Sequence, residues 1–455
     1  MKEDVIFRAY DIRGIYGKDL TEEIVHDIGR AFSTFIGYGK KICLGRDTRN
    51  SGATLLESFL AGLTEAGCCA VKAGIIPIPV LGFLTWHRNY DMGVYISASH
   101  NPPEYNGIRF RGKDGAGYMD GEGEIKRIFM EKKFRKISFK EKRKLYVADY
   151  DNNLLLEEYF SFIVERVNLQ KEMSIVVDPG NGSACKMLPL YEKIGCRAYG
   201  INTYPDGDFP GRGPNPNEKS LSQTASFLKK IEADFAVAFD ADADRGIILD
   251  DKGRLVPPEK IAVIIARHAG VKGKIVASMD CSILLEKELS KEGIEVVREK
   301  VGDVFISKAV KRHNAIIGVE RSGHFFIPSF HFSDDPFAMS SKLAEILSQS
   351  KEKLSSLVDN IPEYTYYSEY FECPENIKFD VMEKLKEEMS KLEYEINLKD
   401  GVRISTDDWM VLIRASNTEP LIRMYIETSI DNLDELKEAY KKKITDAIKS
   451  LKQRI

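Results

Sequence analysis

A β–α–β pattern that occurs three times is the feature of this sequence that most constrains its fold. Short apolar runs alternate with longer segments of helical spacing, as in "KKICLGRD" followed by "SGATLLESFLAGLTEAG". The pattern returns at "MSIVVDPGNGSA" and again at "KGKIVASMDCSILLEKELSKEG". In each block the first clear strand runs into an aspartate, namely Asp47, Asp178 and Asp280. This alternation predicts three similar α/β domains.

The C-terminal part of the chain has a different pattern. The stretch "DGVRISTDDWMVLIRASNTEPLIRMYIE" predicts a set of antiparallel strands, and "DNLDELKEAYKKKITDAIKSLKQ" predicts an amphipathic C-terminal helix. The predicted fold class is α/β: three similar α/β domains with mixed sheets and a smaller α+β C-terminal domain, arranged around a central cleft. The predicted domains are residues 1–150, 151–255, 256–365 and 366–455.

Composition excludes several classes of protein. The net charge of 455 residues is only -4, so no global electrostatic attraction to nucleic acid or to a membrane surface is expected. One basic stretch, Lys126 to Lys144, is interpreted as a solvated helix or an inter-domain surface. Seven cysteines lack the spacing of a zinc finger, and no segment has the apolar length of a signal peptide or a membrane span. We therefore expect a cytoplasmic protein.

An acidic cluster follows one apolar strand. In "FAVAFDADADRG", Asp240, Asp242 and Asp244 stand at every second position. Three like charges repel one another unless a cation binds them, and Mg²⁺ prefers such oxygen ligands. Two other readings stay open at this point, a phosphatase loop with an aspartate nucleophile and a solvated acidic turn.

A serine and a histidine end another apolar strand. In "GVYISASHNPPEYNGIRF", the strand runs into Ser99, His100 and Asn101. Ser99 is a possible nucleophile or phosphate carrier that its two neighbours could orient. Pro102 and Pro103 lack N–H groups and end the strand. By itself, the same pattern is more often an ordinary turn than a catalytic loop.

The stretch "GVERSGHFF" again places polar side chains where a strand meets a loop. Glu320, Ser322 and His324 alternate along the chain, so in an extended conformation they would face one side. A carboxylate, a hydroxyl and an imidazole on one face suit the hydroxyl groups of a sugar. An exposed strand end would look the same.

The stretch "RASNTEPLIR" offers a phosphate site. Arg414, Ser416, Asn417 and Thr418 place a guanidinium, two hydroxyls and an amide within five residues. Arginine pairs with phosphate through two parallel hydrogen bonds, and short polar residues leave backbone N–H groups accessible. The alternative is a polar hairpin turn.

Together, and in this order, these motifs resemble the α-D-phosphohexomutase superfamily of phosphoglucomutases, phosphomannomutases and phosphoglucosamine mutases. The resemblance covers essentially the whole chain. It rests on "FRAYDIRG", "ASHNPPEYNG", "DPGNG", "PDGDFPGRGPNPNE", "FDADADR", "ERSGH" and "RASNTEP".

The resemblance implies a role for each motif. Ser99 would carry a phosphoryl group, and its phosphoryl oxygen with Asp240, Asp242 and Asp244 would hold Mg²⁺. The further side chains expected to support phosphoryl transfer are Arg13, His100, Arg109, Arg245 and Lys300. Those expected to bind the hexose phosphate are Arg8, Tyr10, Glu320, Ser322, His324, Arg414, Ser416, Asn417 and Thr418.

The implied activity is reversible transfer of phosphate between positions 1 and 6 of a glucose or mannose phosphate. It would proceed through a phosphoserine and a bound hexose 1,6-bisphosphate, which is both intermediate and activator. The alternatives are a phosphoglucosamine mutase, a Mg²⁺-dependent sugar phosphatase using Asp240, and a non-catalytic sugar-phosphate binder. The expected partners are small hexose phosphates, without nucleic acid or membrane, and both a monomer and a homo-oligomer stay open.

Two positions depart from the family pattern. After "YNGI" the family usually has lysine, and this chain has Arg109. Because arginine is effectively always protonated, it can supply charge but is a poor acid or base, so Lys300 or His100 becomes the better candidate for proton transfer. In "VERSGH", Val319 replaces a usual glycine and Arg321 fills a variable position, which leaves the preferred sugar open.

Overall fold

The computed structural model describes residues 6–7, 11–270, 272–416 and 420–452. The chain divides into two compact units, and we describe each by itself. The first contains Met1–Ile261 and Ser322–Val358, and the second contains Ala262–Arg321 and Asp359–Ile455. Within the described ranges, no helix combines the length and apolar character needed to cross a bilayer.

The first sheet is mixed and has six strands. These are β1 (Ile12–Ile15), β2 (Lys41–Arg46), β3 (Cys69–Ile75), β4 (Met92–Ile96), β5 (Tyr105–Arg111) and β6 (Val147–Asp149). Their order is β1–β5–β4–β2–β3–β6, in which β2 pairs parallel with β3 and β4 while β5 pairs antiparallel with β1 and β4. The helices of this block are α1 (Glu22–Ile36), α2 (Gly52–Glu65), α3 (Ile78–His87), α4 (Glu122–Glu131), α5 (Phe139–Lys142) and α6 (Asn152–Val164).

Helices α1 and α2 pack closely because each presents a glycine to the backbone of the other. A Cβ atom on Gly62 would lie 1.9 Å from the carbonyl oxygen of His26, and one on Gly29 would lie 2.3 Å from that of Phe59. Helix α1 begins after Thr21, whose side chain accepts a hydrogen bond from an N–H group of the first turn. The cap at Thr21 and the close packing against α2 therefore both favour a helix at this position.

The second sheet is also mixed. Its strands are β7 (Met173–Asp178), β8 (Cys196–Gly200), β9 (Phe235–Phe239), β10 (Gly246–Asp250) and β11 (Leu255–Val256). Their order is β11–β10–β9–β7–β8; β7 pairs parallel with β8 and β9, while β10 pairs antiparallel with β9 and β11. The helices of this block are α7 (Leu188–Lys193) and α8 (Ser222–Ile231).

The third block repeats the alternation. Its elements are α9 (Pro258–His268), β12 (Lys274–Ser278), α10 (Leu284–Leu289), β13 (Glu295–Glu299), α11 (Asp303–His313), β14 (Ile317–Val319), β15 (Phe325–Phe326), α12 (Pro336–Gln349) and α13 (Leu354–Asp359). Strand β12 pairs parallel with β13 and with β14, as expected when helices connect successive strands.

The C-terminal block is antiparallel, as the sequence predicts. It contains β16 (Thr365–Glu372), α14 (Lys378–Met389), β17 (Glu395–Asn397), β18 (Val402–Ser405), β19 (Trp409–Ala415), β20 (Leu421–Thr428) and α15 (Leu433–Lys452). The strand order is β16–β20–β19–β18–β17, with every pair antiparallel. Apolar residues of α14 and α15 form one core with the sheet, including Leu385, Ile422 and Ile444.

The predicted fold class is confirmed: three α/β blocks precede a smaller block with an antiparallel sheet. Strand-end aspartates also lie where the sequence places them. Asp178 closes β7, Asp47 directly follows β2, and Asp280 follows β12 by two residues. The domain boundaries and the central cleft remain predictions.

Candidate active site

Ser99 lies in the loop between β4 and β5 of the first unit. Strand β4 is buried along its whole length and ends at Ile96. Ser99 is itself buried and has a left-handed φ of +50°, which costs a serine about 1–3 kcal/mol. Its Oγ donates a hydrogen bond to Oδ2 of Asp240 over 2.8 Å and lies 3.3 Å from Nδ1 of His100. The fold thus holds this hydroxyl against the acidic cluster.

The three aspartates of the cluster come together where β9 ends. Asp240, Asp242 and Asp244 are fully buried, and one carboxylate oxygen of each lies within 4.8 Å of the others. Ala243, between the last two, has a φ of +59°. This turn brings together the carboxylates of every second residue, Asp240, Asp242 and Asp244.

The donor set of this cluster fits a hard divalent cation. Among the residues that the structure describes, Oδ1 of Asp242 has no hydrogen-bond partner although it is buried. Oδ1 of Asp244 lies 3.3 Å from Nε2 of His324. Buried polar atoms are normally satisfied, and carboxylate oxygens are the ligands that Mg²⁺ prefers. The residues present therefore fit the metal that the sequence predicts.

Two arginines contact the cluster. Nη1 of Arg109 lies 3.2 Å from Oδ2 of Asp242 and also donates to Oδ2 of Asp244. The backbone N–H of Arg245 donates to Oδ1 of Asp240 over 3.2 Å, and its Nε lies 3.9 Å from Oδ2. This arrangement puts positive charge directly beside the carboxylates.

A further arginine contacts the serine loop from β1, the strand that pairs with β5. Arg13 stands on β1, and its Nη1 donates to Oδ1 of Asn101 over 2.7 Å. It also forms an ion pair with Asp11. Arg13 thus binds the serine loop at Asn101, two residues after Ser99.

Burial and neighbouring charges shift the pKa values in the site. Burial and the charges of Asp244 and Asp242 raise the pKa of Asp240 well above its usual range. Burial opposes ionisation of Asp244 too, but Arg109 and His324 outweigh it and hold the pKa of Asp244 well below its usual range. Asp240 and Asp244 are therefore shifted in opposite directions, so that Asp240 holds a proton more readily than Asp244 does.

His100 is uncharged in this environment. The charge of Arg245, then burial, then the charge of Arg13 lower the pKa of His100 to about 2. An imidazole with so low a pKa is a weak proton acceptor. A phosphoryl group on the neighbouring Ser99 would add negative charge and raise this pKa.

Ser322 and His324 differ from the extended arrangement expected of them. Residues 321 and 322 form a turn, and Gly323 has a φ of +94°, so the polar side chains do not alternate along a strand. Ser322 Oγ lies 2.9 Å from Nδ1 of His324, and Nε of Arg245 lies 3.4 Å from Nε2 of the same ring. The structure brings Ser322 and His324 to the aspartate cluster.

Four predicted residues lie in the second unit, together with an aspartate that links two of their loops. Glu320 is buried, and its Oε1 accepts a hydrogen bond from the N–H of Gly302 over 2.7 Å. The N–H of Val301 donates to Oδ2 of Asp400 over 3.2 Å, and the same oxygen lies 3.4 Å from Nη2 of Arg414. Asp400 thus connects the loop after β13 with the end of β19.

Lys300 and Ser416 complete this group. Lys300 is exposed, with Nζ 5.5 Å from the ring centre of Phe305. The carbonyl oxygen of Ser416 accepts a hydrogen bond from Nζ of Lys378 over 2.7 Å, and Lys378 is only 1% exposed. Four further predicted residues lie outside the described ranges: Arg8, Tyr10, Asn417 and Thr418.

Arg321, at the variable position, contacts two residues of the second unit. Its Nη1 donates to the carbonyl oxygen of Asp280 over 3.0 Å, and its guanidinium carbon lies 4.0 Å from the ring centre of Tyr366. Stacking of this kind uses the planar face of the guanidinium.

The sequence did not predict the buried residues that bind the backbone of the serine loop. Ser97 Oγ donates to Oδ2 of Asp47 over 2.7 Å and accepts a hydrogen bond from the N–H of Ser99 over 2.8 Å. Arg49, wholly buried, donates to the carbonyl oxygen of Ser99 over 2.6 Å. The signal available was a strand, β2, that ends in the polar run "RDTR".

Comparison with known proteins identifies the class of this architecture. Models of the phosphoglucomutase/phosphomannomutase family match four segments of the chain in order. These are α/β/α domain I at residues 4–136, α/β/α domain II at 157–253, α/β/α domain III at 257–364 and the C-terminal domain at 370–446.

Individual relatives agree with this class. The chain is 34% identical over 439 residues to a phosphoglucomutase/phosphomannomutase of Thermococcus kodakarensis, covering 93% of this chain and 94% of the relative. It is 35% identical over 460 residues to a phosphoglucosamine mutase of Methanococcus aeolicus, covering 98% and 100%. A crystal structure of a phosphoglucomutase/phosphomannomutase family protein from Burkholderia thailandensis is 27% identical, covers 98% of both chains and gives a TM-score of 0.88.

The chain therefore belongs to the phosphoglucomutase/phosphomannomutase family, within the α-D-phosphohexomutase superfamily. Its relatives carry two kinds of substrate name, glucose or mannose on one side and glucosamine on the other.

Proposed function

We propose that this enzyme moves phosphate reversibly between positions 1 and 6 of a hexose phosphate, with Ser99 as the phosphoryl carrier. Glucose and mannose phosphates are the proposed substrates, and glucosamine phosphate is the alternative. The intermediate is a bound hexose 1,6-bisphosphate. The observation that carries the proposal is the 2.8 Å contact of the Ser99 hydroxyl with a buried aspartate cluster flanked by arginines.

Charge balance supports these roles. A phosphoserine would bring about -1.5 to -2 to a site that already holds three aspartates. The incoming hexose phosphate adds negative charge, so nearby cations are required. Arg109 and Arg245 contact the aspartates, and Arg13 contacts the serine loop. Fixed positive groups of this kind stabilise the charge that develops on the transferred phosphoryl group.

Asp240, Asp242, Asp244 and the phosphoserine oxygen would hold Mg²⁺, which supplies positive charge to the phosphoryl oxygens when bound. The side chains around it orient and shield the carrier. Ser99 is 3% exposed, so bulk water has little access to its hydroxyl. That shielding would protect a phosphoserine from hydrolysis.

The two-step transfer requires that either end of the bisphosphate can be recognised in turn. Ser99 would first give its phosphoryl group to the free hydroxyl of the sugar phosphate. The intermediate would then reorient and return its other phosphoryl group to Ser99. We propose that Glu320, Ser322 and His324 read the sugar hydroxyls in both orientations. Arg414 and Ser416 would hold the phosphate that is not reacting.

The remaining proposals rest on the sequence. They are domain boundaries near residues 150, 255 and 365, a cytoplasmic location, and partners limited to small hexose phosphates.

Relative kcat/KM on glucose 1-phosphate, mannose 1-phosphate and glucosamine 1-phosphate tests the proposed substrates. We expect kcat/KM for glucose and mannose phosphates to exceed kcat/KM for glucosamine phosphate by about tenfold or more. This is the scale on which enzymes discriminate one polar substituent. Catalytic amounts of the matching 1,6-bisphosphate should activate turnover.

The opposite order of kcat/KM would assign the enzyme to the glucosamine branch and leave the phosphoryl-carrier mechanism intact. Absence of interconversion of all three sugars, with the bisphosphate and Mg²⁺ present, would overturn the mutase proposal itself.

The position of Arg109 gives a further prediction. Replacing Arg109 with lysine is expected to lower kcat by about tenfold, because an ammonium lacks the planar fork of a guanidinium. The shape of the pH–rate profile should not change, since the proposed role is to supply charge. The measurement is kcat across neutral and alkaline pH. Arg127→Lys, an exposed arginine paired with Glu124 and Glu131, is the matched control and should behave as wild type.

A new limb near neutral pH in the pH–rate profile of Arg109→Lys would contradict this role. A lysine beside Asp242 and Asp244 keeps its charge there, so the limb would show that the side chain at this position exchanges a proton during turnover.

A further inference from the structure

Arg49 makes an unusual set of contacts for a residue outside the aspartate cluster. It follows β2 by three residues and is wholly buried. Its Nε donates to Oδ2 of Asp47 over 3.0 Å. Its terminal nitrogens donate to four backbone carbonyl oxygens of a single loop that runs into the first residue of β5: Ser99 at 2.6 Å, Asn101 at 2.7 Å, Pro102 at 2.6 Å and Tyr105 at 2.9 Å.

These four carbonyl groups belong to the segment that carries the proposed nucleophile. The guanidinium is planar and rigid, so its bonds fix the directions of the peptide groups that accept them. Ser99 has a φ of +50°, a conformation that persists only when the surrounding structure enforces it. The bond from Arg49 to the carbonyl oxygen of Ser99 acts on that residue directly.

The N–H of Ser99 is held by the same network through a different route. It donates to Ser97 Oγ over 2.8 Å, and Ser97 Oγ donates to Oδ2 of Asp47 over 2.7 Å. Asp47 also accepts from the backbone N–H of Arg49 over 3.0 Å. Both backbone polar groups of Ser99 are thus tied to one buried pair, Asp47 and Arg49.

The block that carries the aspartates contacts this pair as well. The ring centre of Phe209 lies 5.3 Å from the guanidinium carbon of Arg49, within the range of a cation–π contact. Phe209 is 2% exposed and has a φ of +50°. Two hydrogen bonds join the same two blocks. Nδ2 of Asn50 donates to Oδ1 of Asp208 over 2.9 Å, and Oγ1 of Thr48 donates to the carbonyl oxygen of Asn181 over 3.0 Å.

We propose that Arg49 is a positioning residue for Ser99, and that Phe209 fixes Arg49 in turn. The buried guanidinium sets the backbone of the 99–105 loop so that Ser99 Oγ points at Asp240. Through its contact with Phe209, the orientation of Arg49 depends on the block that carries the aspartates. The inference rests on the proposed function, since it assigns Arg49 a part in phosphoryl transfer at Ser99.

Replacing Arg49 with lysine tests the proposal because charge is kept while the fork is lost. We expect kcat to fall by about 100-fold, the scale expected when a reacting atom shifts by about 1 Å. KM for the hexose phosphate should stay within about threefold, because Arg49 contacts none of the proposed sugar-binding residues in its described hydrogen bonds. Phe209→Leu keeps every hydrogen bond of Arg49 and should lower kcat by about tenfold.

A core substitution controls for general loss of stability. Phe59→Leu removes ring contacts with Phe32 in the core of the first sheet. It should lower the Tm comparably while keeping kcat within about threefold of wild type. Tm, kcat and KM are measured on all variants of the full chain, and intact mass reports the phosphorylated fraction.

Two results would overturn the positioning role: a folded Arg49→Lys enzyme whose kcat falls by less than about tenfold, or a kcat loss that Phe59→Leu matches at equal loss of Tm. If Arg49→Lys does not fold, the loss of kcat in Phe209→Leu is compared with that in Phe59→Leu at equal loss of Tm. Equal losses of kcat would then overturn the positioning role. Failure of the proposed function looks different, because wild type itself would then show neither interconversion nor phosphoserine.

Discussion

Replacing Ser99 with alanine is expected to reduce kcat for hexose phosphate interconversion by about 10⁴-fold or more. The proposed route passes every transferred phosphoryl group through the Ser99 hydroxyl, which alanine lacks. Binding should survive, because the residues proposed to read the sugar and the distal phosphate are others. A coupled assay gives kcat, and calorimetry with the hexose phosphate should give a Kd within about threefold of wild type.

Ser97→Ala is the matched control for this substitution. Ser97 is equally buried and stands two residues earlier, but its Oγ contacts Asp47, the N–H of Ser99 and, over 3.3 Å, Oδ2 of Asp242. Loss of such a supporting contact should lower kcat by less than about 100-fold and leave the phosphoenzyme detectable. If Ser99→Ala still released phosphate at the wild-type rate, a phosphatase with Asp240 as nucleophile would replace the mutase proposal.

Replacing Asp242 with asparagine is expected to abolish stabilisation of the protein by Mg²⁺. Among the described residues, Oδ1 of Asp242 is a buried carboxylate oxygen without a hydrogen-bond partner, and asparagine keeps the shape of the side chain while removing its charge. At a Mg²⁺ concentration of about 100 times Kd, binding adds about 2.7 kcal/mol to the free energy of unfolding of wild type. The variant should show no such gain in thermal unfolding.

In Mg²⁺-free buffer the same variant should be at least as stable as wild type, because one of three clustered like charges is gone. Asp250→Asn is the matched control. Asp250 is fully buried at the end of β10 and pairs with Arg254, away from the cluster by sequence and contact. It should keep the Mg²⁺ gain. An Asp242→Asn enzyme that Mg²⁺ stabilises as much as wild type would remove this carboxylate from the proposed metal site.

The fold could be predicted from the sequence because local signals agree with the tertiary arrangement. Apolar runs such as "FAVAF" become buried strands, and the intervening segments with helical spacing become helices packed on them. The antiparallel pairing of β18, β19 and β20 follows from short polar turns between apolar runs. Each of these signals lies within about ten residues along the chain.

The meeting of Ser99 with Asp240 could be anticipated only from the order of the motifs. The two residues are 141 positions apart, and no local pattern joins them. Spacing did place the three aspartates together, since a turn after a strand gathers alternate residues. It misplaced Ser322 and His324, because the turn at Gly323 replaces the extended chain that alternation suggests.

The supporting network was beyond sequence reasoning. Arg49 reads as one more polar residue after a strand, and Lys378 as an ordinary surface lysine at the start of α14. Both are buried because distant segments close over them and offer carbonyl oxygens: Ser99 and its loop for Arg49, and Ser416 for Lys378. Such roles depend on backbone positions set by tertiary structure, which composition and periodicity do not encode.

Intact-mass measurement on the purified enzyme, followed by mapping of the modified peptide, tests the central claim most directly. After incubation with a hexose 1,6-bisphosphate, a fraction of wild-type molecules should be about 80 Da heavier, with the added mass on Ser99. Ser99→Ala, treated identically, should gain nothing. A phosphoryl group found on Asp240 would contradict the account, as would a Ser99→Ala enzyme that gains the same mass.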